Sequence, residues 1–320
     1  MEPTFDDAKL LSYTDSDLIN HINSLPWTMD DGRAMPISNN YFAKGYARKE
    51  EIEDSVSAMK FASQLGIRVP RVHRIVRGVG FHYIMDRIPG TTLDIAWHEL
   101  GWIASLRLAF QMRRIVHRLR SVESTSSGTI PTGECTSYFL DDHYGLPLRA
   151  NCHHINAFLN FWANFAGFGQ EVKKTPAEHA VCPRPVFTSS RPFVFTHHDL
   201  APRNIILDPE GQLQIIDWDL AGFYPESFEY AGMYNFLTRG WTKFALWRWK
   251  VFAWIACGLY NEEFKWLHRI RCRFTRFTLG RRFNLRAGGY AAISERPYIE
   301  KSHSGLWTPS HRQRQERKGD

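Results

Sequence analysis

The stretch Phe195–Gly222, FTHHDLAPRNIILDPEGQLQIIDWDLAG, gathers two histidines, one asparagine and four aspartates around two short apolar runs. NIILD and LQIID read as strands, and DPEG between them is turn sequence, so the stretch predicts a hairpin. Asp199 and Asn204 lie before its first strand; Asp217 and Asp219 lie after its second. A hairpin returns both ends to the same side, so these oxygen-bearing groups can converge. Such convergence suits phosphoryl transfer. A carboxylate orients or accepts the proton of an attacking hydroxyl while other oxygen ligands hold Mg²⁺ against the phosphates.

Any one of these residues is, by itself, an ordinary turn former. The joint pattern carries the reading. Asn204 follows Asp199 by five residues and Asp217 follows Asn204 by thirteen, in the order catalytic Asp, metal Asn, metal Asp used by kinase-type sites.

The elements that must position these groups can be sought upstream. With 320 residues, 43% hydrophobic, the chain can bury a sizeable core in one large domain or two lobes. Residues 1–32 read as a helical lead-in, clearest in SDLINHINSLPW. AMPISNNYFAKGYA and VHRIVRGVGFHYIMDRI read as strands broken at Asn or Gly. Between them Ile52, Val56, Met59 and Leu65 follow helical spacing, and Gly66 suits the cap. Residues 33–88 therefore form a small α+β lobe. A larger, mainly helical lobe spans 89–286, with one long helix over 93–122 (Ile103, Leu106, Ile115 and Leu119 apolar) and another near 153–166.

From 287 the chain reads as a basic, disordered tail. Residues 239–320 hold 18 Lys+Arg against 6 Asp+Glu, so the net +7 belongs to this end and residues 1–238 carry −5. The terminal run HRQRQERKGD lacks aromatics and reads as solvated, which makes nucleic acid an unfavoured partner. FALWRWKVFAWIACGLY is interrupted by Arg248 and Lys250, so no membrane span is expected. Trp247 and Trp254, seven apart, read as one core-facing helix side. Five cysteines without CxxC spacing, and no apolar leader, point to reduced thiols and a cytoplasmic setting. The CHH run at 152–154 has no second ligand pair at zinc spacing.

The run FTHHDLAPRNIILDPEGQLQIIDWDLAGFYPESFEY resembles the aminoglycoside phosphotransferase/choline kinase superfamily, within it the fungal phosphotransferase-like proteins. YIMDRIPGTTLDIAW and GIRVPRV resemble further segments of that family, and the likeness covers roughly residues 33–265. The resemblance implies a two-lobed protein-kinase-like fold, with ATP between the lobes and Mg²⁺ at the hairpin. It makes Asp199 the catalytic base, His197 the histidine that shapes the loop, and Asn204 and Asp217 the Mg²⁺ ligands. Lys44 in YFAKGY becomes the phosphate-binding lysine, and the backbone around Met85, Asp86 and Arg87 contacts adenine. Glu53 is the expected acidic partner of Lys44. Aligning on AMKFA instead points to Ser55, and Asp54 is the third option.

Three departures accompany the match. His198 stands where the family has glycine, which calls for a changed loop or a titrating imidazole. Asp219 replaces a glutamate. DDGRAMPISNN offers only Gly32 to cover a nucleotide. The leading reading is an ATP- and Mg²⁺-dependent kinase acting on a small-molecule hydroxyl; the acidic balance of residues 1–238 is compatible with a cationic acceptor. The alternative is an inactive binding module on the same fold. A protein kinase ranks last, because DFG and APE are lacking.

Overall fold

Residue alternation in two strands sets the geometry of the small lobe. In the computed structural model, which describes residues 5–26, 33–181, 192–236 and 240–288, Lys44 and Tyr46 point to one face of the first sheet and Ala43 to the other. Helix α1 (Asp15–Ser24) precedes this sheet. Strands β1 (Ala34–Pro36) and β2 (Tyr41–Tyr46) form a hairpin whose turn is closed by Ser38 Oγ, which accepts from Asn40 N–H and Tyr41 N–H. Helix α2 (Lys49–Gln64) ends at Gly66, in the left-handed region at φ 72°. Strands β3 (Val72–Arg77) and β4 (Phe81–Asp86) complete an antiparallel sheet in the order β1-β2-β4-β3.

Both faces of this sheet are covered. Tyr46, Tyr83 and Met85 meet Ile52, Ala58, Met59 and Ala62 of α2. Ala43, Val76 and Ile84 meet Leu10, Leu18 and Ile22 on the other side. Arg74 fastens α1 through Asp15 at 2.7 Å and the carbonyl of Tyr13 at 2.5 Å. The lead-in is thus one layer of the small lobe's core.

The large lobe begins with β5 (Thr91–Thr92), α3 (Leu93–Ala96) and α4 (Trp102–Arg120). The single helix expected over 93–122 is broken, because α4 restarts at the Gly101 cap. Its buried side is Ser105, Leu108, Ala109, Met112, Ile115, Val116 and Leu119, while Ile103 is 87% exposed. Next come β6 (Glu123–Ser124), a long ordered loop, α5 (Cys152–Asn164), α6 (Phe168–Glu171) and α7 (Pro176–Ala180). His154 closes the capping box of α5 with Asn151.

Strands β7 (Phe193–Thr196), β8 (Ile205–Leu207), β9 (Leu213–Ile215) and β10 (Gly222–Tyr224) build the site region. They form two small sheets, β10-β7-β6 and β5-β8-β9. Helices α8 (Ser227–Gly232), α9 (Lys243–Cys257), α10 (Asn261–Arg276) and α11 (Arg281–Arg286) close the lobe.

The α9 helix is apolar on nearly every side, so seven-residue spacing identifies a shared face but not the buried one. Trp249 is buried against Trp97 and Phe252, whereas Trp247 and Trp254 are half exposed, contrary to the expected core-facing pair. No helix among the described residues is long and apolar enough to cross a membrane. Cys135, Cys152, Cys257 and Cys272 form no disulfide among the described residues. The expected disordered tail, from 289 onward, lies outside the described residues.

Because Leu18 is buried between α1 and the sheet, Leu18→Ala should destabilise the protein by about 2–5 kcal/mol. Urea denaturation checks this. An unchanged midpoint would mean that α1 does not belong to the small-lobe core.

Candidate active site

The predicted hairpin is β8–β9, paired from Ile205↔Ile215 to Leu207↔Leu213. Its turn is held by Asp208, whose Oδ1 accepts from Gln212 N–H at 2.7 Å. The pairing brings the strand ends together, and Ile216 N–H donates to the carbonyl of Asn204 at 3.0 Å. Asp199 and Asn204 therefore stand beside Asp217 and Asp219.

Asp199 is buried, and its two oxygens differ. Oδ2 accepts from Arg203 Nη2 at 2.6 Å and from Asn204 Nδ2 at 2.9 Å. Oδ1 has only a long 3.4 Å contact with Asn235 Nδ2, so it is the freer oxygen and the better proton acceptor. Burial pushes this carboxyl up to about 6, against the pull of Arg203.

The loop carrying Asp199 is held from behind. Glu229 of α8 accepts from both His197 N–H (2.7 Å) and His198 N–H (3.0 Å). Burial raises the Glu229 carboxyl to about 7, with these two N–H groups pulling the other way. His197 connects the loop to the hairpin. Its Nε2 lies 3.0 Å from the carbonyl of Ile216, and its Nδ1 faces Asp199 N–H at 3.3 Å. Those partners fix the proton on Nε2, and burial lowers the ring to about 4, so it is neutral near pH 7. Its geometry is that of a positioning residue.

His198 resolves its departure by conformation. It occupies the left-handed region at φ 69°, where glycine sits without strain. Its ring stacks on Tyr224 and Phe228 and hydrogen-bonds Ser137 Oγ at 2.7 Å. The imidazole thus points away from the reacting side. Burial lowers it to about 3, which favours the changed-loop alternative over the titrating imidazole. Gly232 permits the close approach of α8, since a Cβ there would lie 2.6 Å from the His198 carbonyl oxygen.

Lys44 reaches the hairpin from β2. Its Nζ lies 2.6 Å from Asp217 Oδ1 and 2.8 Å from Asp219 Oδ2. Burial alone would lower the ammonium, but the two carboxylates overcome this and raise it. Asp217, at φ 64°, is held low by Lys44 in spite of burial. Asp219 also accepts from Tyr46 Oη (2.5 Å), Ser55 Oγ (3.0 Å) and Arg33 Nη2 (2.5 Å).

The acidic partner of Lys44 is therefore not Glu53. That residue lies on the outer side of α2 and pairs with Lys49 at 2.8 Å. Asp54 is turned to Thr132. Ser55 takes the inward position, and Asp219 from the hairpin supplies the charge. This exchange was hidden in sequence because it depends on the rotational phase of α2.

The Met85–Arg87 segment forms the junction of the lobes. Asp86 N–H donates to the carbonyl of Arg71 and Arg87 N–H to that of Asn40, so neither is free for adenine in this conformation. The Asp86 carboxylate bonds His73 at 2.6 Å. Gly32 and its preceding acids lie outside the described residues.

The profile of a phosphotransferase enzyme family matches residues 39–249, about two thirds of the sequence and all of this site's hairpin. The chain belongs to this phosphotransferase family. Among solved structures, aminoglycoside phosphotransferase APH(3'')-Id from Streptomyces rimosus ATCC10970, in complex with ADP and streptomycin, is 18% identical. The likeness covers 81% of this chain and 98% of that one, with a TM-score of 0.47. Choline kinase LicA from Streptococcus pneumoniae is 14% identical over 94% of this chain and 97% of that one, with a TM-score of 0.44. No curated protein matches this chain.

As a member of this family, the chain is a phosphotransferase, and its architecture is mixed α+β with a small antiparallel-sheet lobe and a larger, mainly helical one. The donor set of the site suits Mg²⁺, the metal that the sequence resemblance implies. Asn204 gives its amide NH₂ to Asp199, which leaves the amide oxygen as its ligand atom. Asp217 is ionised and has a 39% exposed side chain. Two such hard oxygens fit a Mg²⁺ that takes its other ligands from phosphates and water. No group of three His, Cys, Asp or Glu among the described residues forms an all-protein metal cage.

Glu229→Gln retains one acceptor oxygen but turns an NH₂ toward the second loop N–H. It should cost about 1–3 kcal/mol of stability and lower turnover by loosening Asp199. Paired denaturation and phosphotransfer assays check both parts.

Proposed function

We propose that this phosphotransferase moves the γ-phosphoryl group of ATP to a hydroxyl of a small molecule, with Mg²⁺ bound by Asn204 and Asp217. The observation that carries this reading is the single cluster of Asp199, Asn204, Asp217 and Lys44, contributed by both lobes. Asp199 Oδ1 takes the acceptor's hydroxyl proton. The acceptor oxygen bonds to the γ-phosphorus as the bond to the β–γ bridging oxygen breaks, and ADP leaves. Lys44 exchanges its Asp217 contact for phosphate oxygens and stays anchored on Asp219. Mg²⁺, when bound, neutralises phosphate charge.

The binding-module alternative drew its motive from His198 and from the glycine-poor stretch around Gly32, which lies outside the described residues. The His198 side chain is stacked in an aromatic pocket away from Asp199 Oδ1, so it gives no reason for a silenced site.

Mg²⁺-dependent ATP binding by calorimetry tests the reading first. Wild type should bind, and Asp217→Ala should lose the Mg²⁺ dependence. No binding at millimolar nucleotide would overturn the kinase reading.

A pH profile tests the base. The carboxylate form of Asp199 exists above its raised value of about 6. Therefore kcat/KM should fall about tenfold per unit as pH drops below that value. Asp199→Asn should cost about 10²–10⁴ in kcat while retaining Mg-ATP affinity.

A further inference from the structure

The reacting oxygen of Asp199 faces a second group of side chains that phosphate and metal binding leave unused. Asn235 joins them. Its Nδ2 faces Asp199 Oδ1 at 3.4 Å, and its Oδ1 accepts from Arg271 Nη1 at 3.1 Å. Arg271 comes from α10, on the large-lobe side, whereas Lys44 arrives from the small lobe. Its guanidinium lies over the ring of Tyr138 at 5.1 Å. Arg203, at the edge of the same space, donates to the Asn235 carbonyl at 2.7 Å.

The charges on this side do not balance. Arg203 pairs with Asp199 at 2.6 Å. Among the described residues no carboxylate lies within ion-pair distance of Arg271, whose contacts are an amide oxygen and a ring face. Two guanidinium groups thus face one carboxylate. The two arginines also respond differently to their surroundings. Burial disfavours the charge of both, but Asp199 more than restores it for Arg203, while Arg271 stays depressed. A half-buried cation without a counter-ion gains most from an anion that fits beside it.

We propose that the acceptor is an anionic hydroxy compound, and that Arg271, backed by Tyr138 and Asn235, binds its carboxylate or phosphate while the hydroxyl lies at Asp199 Oδ1. This deepens the phosphotransfer reading and rests on it. It also reverses the cationic acceptor suggested by the overall charge balance. That balance sums acids over the whole surface, whereas the acceptor meets only the groups beside the base. An ammonium placed there would face Arg203 and Arg271 with one carboxylate already paired.

The test uses matched three-carbon probes at constant ionic strength: glycerate, glycerol 3-phosphate, glycerol and serinol. Binding to the full chain is measured by ligand-observed NMR, with Mg-ATP affinity measured on the same samples. At least one anionic probe should bind about tenfold more tightly than glycerol, the size of one charge-assisted hydrogen bond, with serinol weakest. Whether glycerate or glycerol 3-phosphate leads identifies the anionic group. Arg271→Met should erase the preference, Arg271→Lys should restore part of it, and both should retain Mg-ATP affinity. The proposal is overturned if wild type shows no anion preference or favours serinol. It is equally overturned if Arg271→Met keeps the preference, or weakens Mg-ATP alone, which would make the nucleotide the anion bound. Anion preference without Mg-ATP binding would remove the kinase reading and leave the anion site standing.

Discussion

The ion cluster of Lys44 with Asp217 and Asp219 is the constraint on which the site depends. A buried ammonium without partners would be costly enough to shed its proton or unfold its surroundings. The partners here come from the opposite lobe, at the exit of the β8–β9 hairpin. The small lobe therefore cannot settle independently of the β8–β9 hairpin. Asp219 carries most of this role, because Lys44, Arg33, Tyr46 and Ser55 all donate to it. Asp217 shares only Lys44 and stays partly exposed, so it can turn to a metal without leaving the cluster unpaired.

A second restraint acts on the loop before the hairpin. Two backbone N–H groups at His197 and His198 converge on one buried carboxylate, that of Glu229. The arrangement explains how a bulky residue is accommodated at a left-handed position. Such a conformation costs about 1–2 kcal/mol for a non-glycine residue. Aromatic stacking of His198 and its bond to Ser137 act against that cost. The loop thus keeps Asp199 in place by anchoring the residues just before it.

Much of this was legible in the sequence, for local reasons. The hairpin followed from two apolar runs and a turn, and the convergence of Asp199, Asn204, Asp217 and Asp219 followed from the hairpin. What depended on orientation was not legible. Ile52, Ser55, Met59 and Ala62 form the inward stripe of α2, and Glu53 is one residue, about 100°, away from it. Its charge made it the natural candidate for Lys44, but its position on the helix excludes it. The same limit applies to α9, where Trp247 and Trp254 share an exposed side, and to α4, where Ile103 faces outward. Glu229 stood in the matched run as part of FEY but without a role, because that role exists only once α8 packs behind the loop.

Arg271 shows why net charge is a poor guide to the acceptor. It is one of five Lys and Arg residues in α10, and nothing in the sequence singles it out. Packing selects it, since it is the one shown to bond Asn235. On the donor side, Lys44 and Arg33 are matched by Asp217 and Asp219, so that half can receive a metal and phosphates together. On the acceptor side, Arg203 and Arg271 are matched by Asp199 alone. The two halves share the catalytic loop yet differ in charge. Asp199 holds its position because Arg203 binds Oδ2 and leaves Oδ1 open, so under the proposed reading Arg271 is the cation available to a substrate.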